Sequence, residues 1–163
     1  MDFVPAVARW VHFLAGVMWI GLLYYFNFVQ VPALKAAAAD GSAAGITRHV
    51  APRALLYFRW SAVVTWLAGA ALLGNQFVNA FTFQQGMAGI GIGAWLGTIM
   101  LFNVWALIWP NQQKILGMKP ATDEAKAKAR RVALLASRAN MMLSMPLLFF
   151  MAGGWSHRAA FGL

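Results

Sequence analysis

The sequence predicts an all-α integral membrane protein, a four-helix bundle with both termini on the periplasmic side. Three observations support this: the composition, four long apolar stretches and the distribution of positive charge. Of the 163 residues, 61% are hydrophobic and 10% are charged, whereas soluble domains carry about 25% charged residues. The mean hydropathy is +0.63. Because water would not keep such a chain soluble, we expect a single transmembrane domain over residues 1–163.

Four apolar stretches are each close to the ~20 residues that a helix needs to cross the hydrocarbon core. They cover approximately residues 10–31, 55–74, 87–109 and 132–155. Residues 32–54 are expected to form a polar loop, and a short uncharged segment joins the second and third stretches. Before the fourth stretch, Thr122 is placed to cap a helix whose first turn holds Asp123 and Glu124.

The positive charge is concentrated on one side of the predicted bundle. Of thirteen Lys and Arg residues, eleven lie in or beside the first and third connections, and Arg9 and Arg158 lie on the other side. The positive-inside rule therefore places both connections in the cytoplasm. We expect a multi-pass protein of the bacterial inner membrane. The net charge of +9 then suits lipid headgroups, and nucleic acid is excluded as a partner.

Two histidines near the periplasmic side form the first candidate site. His12 lies in the first stretch and His157 just past the fourth. Imidazoles from two helices of a bundle commonly hold a b-type haem, so both residues are candidate iron ligands. Spacing alone leaves open that both are interfacial residues of the aromatic belt. The sequence has no cysteine, which excludes covalently attached haem and thiolate metal sites.

A second polar layer lies near the cytoplasmic side. Amides and arginines from all four stretches are expected to fall within one slab roughly 10 Å thick. These residues are Asn27, Gln30, Arg59, Asn103, Arg138 and Asn140. Arg59, Asn103, Arg138 and Asn140 are candidate ligands for a planar or anionic substrate. The alternative is that the arginines reach the headgroups while the amides tie helices together.

Small residues mark the third stretch. Gly89, Gly93 and Gly97 recur every four residues and predict a ridge that permits close helix packing.

Three segments resemble a known family, the membrane-bound urate hydroxylases with their urate oxidase N-terminal membrane domain. These segments are Arg9-Trp10-Val11-His12 through Gly21, Asn103-Val104-Trp105 through Lys114, and Ser137-Arg138-Ala139-Asn140 through Pro146 to His157. The resemblance implies a membrane redox domain that hydroxylates urate and passes electrons to an attached cytochrome c domain. Its implied functional residues are His12, Asn103, Arg138, Asn140 and His157. Without cysteine, this sequence cannot hold the covalent haem of that cytochrome.

Three functions remain open from the sequence. The first is a redox protein that binds haem b and uses a separate cytochrome as electron acceptor. The second is a non-enzymatic accessory subunit of a larger respiratory or photosynthetic membrane complex. The third is a small transporter or a channel formed by a homo-oligomer.

Overall fold

The computed structural model describes the backbone of residues 3–161 and the side chains of residues 3–152, and its regular structure is helical throughout. The α-helices are α1 (Phe3–Tyr24), α2 (Val31–Ala39), α3 (Ala43–Gly45), α4 (Ala51–Leu73), α5 (Phe77–Phe81), α6 (Ala88–Phe102), α7 (Trp109–Ile115) and α8 (Asp123–Phe161). Widened π-helical turns lie at Tyr25–Gln30, Ile46–Val50 and Asn103–Ile108, and a 3₁₀ turn at Gly74–Gln76.

These elements join into four long helical runs, each long and apolar enough to cross a membrane. In order they are called the first to fourth spans: Phe3–Ala39, Ala43–Phe81, Ala88–Ile115 and Asp123–Ala152. The prediction of an all-helical, four-span membrane protein is confirmed. The side of the bundle that carries the first and third connections is called the basic side below, and the opposite side is called the terminal side.

The first connection is shorter than predicted. The expected polar loop over residues 32–54 is wrong, because helices fill most of it and only residues 40–42 form the turn. Alanine is the strongest helix former, so the alanine run before Asp40 continues the helix. Asp40 stops it by accepting a hydrogen bond from the backbone N–H of Ser42 at 2.9 Å, and Gly41 adopts a φ of +81°.

The predicted cap of the fourth span is confirmed. The Ala125 backbone N–H donates to Thr122 Oγ1 at 3.2 Å, and Asp123 and Glu124 occupy the first turn of α8. Thr122 thus satisfies one of the N–H groups that a helix leaves free at its start.

Each π-helical turn is followed by a proline. Pro32, Pro52 and Pro110 each lie in the first turn of the next α-helix. A proline lacks the backbone N–H and its ring clashes with the carbonyl four residues earlier. In all three cases that carbonyl lies within the π-helical turn, where the wider winding moves it away from the ring. The widened turns therefore let the spans continue through proline.

The bundle consists of two helical hairpins. The first span packs mainly on the second, and the third packs mainly on the fourth. Between them lies an apolar core that includes Trp19, Leu23, Phe58, Met100 and Val104, all buried.

The predicted glycine ridge is confirmed at two of its three positions. A Cβ on Gly93 would lie 2.9 Å from Met151 Cε, and one on Gly97 would lie 3.4 Å from Leu147 Cδ1. Both glycines therefore bring the third span close to the fourth. Gly89 faces open space, so its part of the prediction is wrong.

Candidate functional site

His12 lies on the terminal half of α1 and packs against the second span. Its Nδ1 lies 2.8 Å from the backbone carbonyl of Thr65. A carbonyl can only accept, so Nδ1 carries the hydrogen, and the tautomer with its lone pair on Nε2 fits this contact. A Cβ on Gly69 would lie 2.9 Å from His12 Cε1. The ring is therefore held in place by Thr65 and given room by the missing side chain of Gly69.

The other two histidines contribute differently. The side chain of His157, the second predicted haem ligand, lies outside the described side chains, and its role stays a prediction. His49 lies in the π-helical turn before α4, on the basic side, and is exposed. It cannot share a site with His12, because the two are at opposite ends of the spans.

Asn103 and Asn140 bind each other between the third and fourth spans. Asn103 Nδ2 donates to Asn140 Oδ1 at 2.8 Å, and Asn140 Nδ2 donates to the Met100 carbonyl at 3.0 Å. Asn140 is fully buried. These two hydrogen bonds hold the third and fourth spans together, and the Asn103–Asn140 pair is called the clamp below. Substrate binding by these two amides stays a prediction.

Two further hydrogen bonds connect the hairpins. Asn27 Nδ2 donates to Ser137 Oγ at 2.9 Å, and Ser144 Oγ lies 3.0 Å from the hydroxyl of Tyr24. Both pairs join the first span to the fourth. Asn27 Oδ1 and Gln30 Oε1 are buried and have no hydrogen-bond partner among the described residues. The first span thus presents two unpaired acceptors about one turn apart.

The two arginines of the spans have different surroundings. Arg59 lies over the ring of Trp109, with its Cζ 3.8 Å from the ring centroid, a cation–π contact between the second and third spans. Arg138 is exposed. Side chains that are two positions apart on a helix point to nearly opposite sides. Arg138 therefore does not share a face with Asn140. The described contacts pair the two asparagines and place each arginine elsewhere.

The match to known families covers the second half of the molecule. The family model described as urate oxidase N-terminal matches residues 75–160. This is more than half of the chain. The chain belongs to the urate oxidase N-terminal family. No curated protein and no solved structure gives a significant match. Within this family member, the matched region contains Asn103, Arg138, Asn140 and His157, whereas His12 and Arg59 precede it.

An internal repeat in this urate oxidase N-terminal family member marks buried polar residues that are absent from the predicted site. Ala54-Leu55-Leu56 is followed at equal spacing by Arg59, Ser61 and Thr65, just as Ala133-Leu134-Leu135 is followed by Arg138, Asn140 and Ser144. Likewise, Trp19-Ile20-Gly21 precedes Phe26-Asn27 as Trp95-Leu96-Gly97 precedes Phe102-Asn103. The two hairpins therefore correspond in sequence.

The repeat also marks where polar groups are buried. The described polar side chains that are buried are Gln30, Ser61, Thr65, Asn140 and Ser144. Four of these five are the two equivalent pairs of the repeat. Comparing the halves would have singled out the buried side chains of Thr65 and Ser144 from the sequence. The Thr65 hydroxyl donates to the Ser61 carbonyl, whereas His12 contacts the Thr65 backbone carbonyl, which the repeat does not predict.

Proposed function

We propose that this chain is a membrane redox protein that binds haem b through His12 near the terminal side of the bundle. The observation that supports it is the hydrogen bond from His12 Nδ1 to the Thr65 carbonyl at 2.8 Å. Histidines that bind metals commonly donate their second ring N–H in this way, because the bond fixes the tautomer and raises the basicity of the other nitrogen. Nε2 of His12 is thereby prepared as an iron ligand.

The surrounding residues fit that role. The Thr65 carbonyl orients the imidazole, and Gly69 leaves the space that the ring occupies. His157 is the proposed second ligand. Haem needs only one or two protein ligands, because the porphyrin itself supplies four ligands to the iron. When bound, haem supplies one-electron redox chemistry.

Urate is the first substrate to examine, because the family is described as urate oxidase N-terminal. Arg59, Asn103, Arg138 and Asn140 are the substrate ligands expected from the sequence. Along the first span, Asn27 lies roughly 20 Å from His12 at about 1.5 Å per residue. Haem at His12 and a purine among the inner amides would therefore occupy separate sites, and electrons would leave to a separate acceptor such as a cytochrome.

The direct experiment is an absorbance spectrum of the protein purified in detergent after expression with added haem precursor. We expect a Soret band that is lost in His12→Ala, because the iron loses its oriented ligand. His49→Ala is the matched control and should keep the band. A wild-type protein without the band, or a band unchanged in His12→Ala, would contradict haem binding and favour the accessory-subunit hypothesis.

A second variant pair examines the positioning of His12. Gly69→Ala should weaken haem binding about tenfold or more, because its Cβ would lie 2.9 Å from His12 Cε1 and displace the ring from Thr65. In Gly16→Ala the new Cβ would meet Thr65 Cγ2 at 3.7 Å, an ordinary contact. Haem titration of both purified variants measures the difference. Equal affinities would argue against a role for the Thr65 hydrogen bond.

A further inference from the structure

A groove opens on the outer surface of the bundle between the second and third spans. Its volume is about 460 Å³ and its walls are almost entirely apolar. The lining residues are Val63, Trp66, Thr98, Leu101, Phe102 and Trp105. The polar atoms of Trp66 and Thr98 are occupied, since Trp66 Nε1 donates to Thr98 Oγ1 at 2.9 Å. The surface inside the groove therefore suits a hydrocarbon chain.

Arg59 stands at the basic end of this groove. It precedes Val63 by one helical turn, and Trp109 follows Trp105 by about one turn on the other wall. The Arg59 guanidinium over the Trp109 ring therefore lies about one turn beyond the lining residues on that side. Trp60 contacts Trp105 in an edge-to-face arrangement with centroids 5.4 Å apart. Trp109 lies near the end of the third span, and its contact with Arg59 places the guanidinium at the same level, where tryptophan and arginine typically meet the lipid headgroups.

The charge of Arg59 is not neutralised by the protein. Among the described residues, the carboxylate–cation contact is Lys126 with Asp123, and no acceptor engages the N–H groups of Arg59. The Trp109 ring covers one face of the guanidinium and leaves the donors at its edge available. A guanidinium at this depth matches a phosphodiester, whose oxygens accept two hydrogen bonds side by side.

The equivalent place in the other hairpin differs. Arg138 corresponds to Arg59 in the repeat, and its neighbouring interface joins the fourth span to the first. That interface is closed by the Asn27–Ser137 and Tyr24–Ser144 hydrogen bonds. Of the two equivalent arginines, Arg59 therefore lies beside an open groove and Arg138 lies beside a closed interface.

We propose that an anionic phospholipid occupies the groove, with an acyl chain between the second and third spans and its phosphate on Arg59. This binding is separate from the proposed haem site and gives Arg59 a lipid phosphate in place of the substrate expected from the sequence. Charge favours this occupant over two others. A quinone is neutral and leaves Arg59 uncompensated, and a symmetric second copy would bring two Arg59 side chains together.

The test is native mass spectrometry of the protein in mild detergent with phosphatidylglycerol and phosphatidylcholine of identical acyl chains. We expect wild type to prefer one phosphatidylglycerol about five- to tenfold. Arg59→Gln should lose that preference, and Arg138→Gln, the matched control, should keep it. Val63→Phe keeps the arginine but fills the groove, and should reduce binding of both lipids. Circular dichroism verifies that each variant is folded.

Several results would overturn the proposal. One is equal binding of the two lipids by wild type, and another is an unchanged preference in Arg59→Gln. If Arg138→Gln lost the preference for phosphatidylglycerol as fully as Arg59→Gln, the lipid would be attracted by the surface charge of the protein in general and not by Arg59. A retained quinone, or a dimer that Val63→Phe dissociates, would assign the groove to that occupant instead.

Discussion

Replacing Gly91 with alanine is expected to lower the free energy of unfolding by about 2–3 kcal/mol, the loss typical of overpacking a close contact. A Cβ at this position would collide with the backbone carbonyl oxygen of Ala80 and lie 2.9 Å from Phe83 Cδ1. The Ala80 carbonyl belongs to α5, so it cannot move aside as a flexible side chain would. The measurement is unfolding in mixed micelles of increasing denaturing detergent, followed by circular dichroism.

Gly89→Ala is the matched control in the same helix. No atom lies within 4 Å of a Cβ at Gly89, so only the helix propensity changes, and stability should rise by between zero and about 1 kcal/mol. If both variants had the same stability, the close approach of α5 to α6 at Gly91 would be refuted.

Asn140→Leu is expected to cost about 1–3 kcal/mol of unfolding free energy, the usual penalty for leaving a buried partner unpaired. Asn140 is fully buried, and its removal leaves Asn103 Nδ2 without its acceptor. Water is scarce at this position between the third and fourth spans, so it would not replace the lost hydrogen bond. The same detergent titration measures the effect. Asn75→Leu, at an exposed position, should change stability by less than about 0.5 kcal/mol.

The double variant Asn103→Leu/Asn140→Leu tests whether the loss of stability comes from the hydrogen bond between these two side chains. When both partners become apolar, no buried amide remains unpaired, so part of the lost stability should return. Strictly additive losses would show that the two side chains act independently and would contradict the clamp.

The architecture was predictable because composition and the positions of charged residues can be determined from the sequence without knowledge of the packing. Four apolar stretches suffice for the number of spans, and Thr122 before Asp123 and Glu124 was sufficient to predict the start of α8. The eleven cations on one side predict the orientation, which stays a prediction. The first connection was predicted wrongly, because its polar residues were given more weight than the helix propensity of its alanine run. Only the Asp40–Ser42 turn interrupts the helix there.

The candidate sites were less predictable, because depth in the membrane does not fix direction around a helix. The sequence placed Arg138 and Asn140 in one slab, yet Asn140 is buried while Arg138 is exposed. The partner of His12 depends on how the first and second spans are rotated against each other, which hydropathy does not record. The positions shared by the repeat mark the buried side chains of Thr65 and Ser144 without knowledge of the packing. The backbone carbonyl that His12 contacts has no such signal in the sequence.

The two-hairpin organisation has a consequence for biogenesis. Each hairpin contains its own positively charged connection and packs mainly within itself, so the first can enter the bilayer as a unit while the ribosome is still translating the second. Docking then follows as a later step within the membrane, in the manner of two-stage assembly. That step forms the Asn27–Ser137 and Tyr24–Ser144 hydrogen bonds. Newly inserted chains would therefore pass through a state in which two complete hairpins diffuse together before the bundle closes.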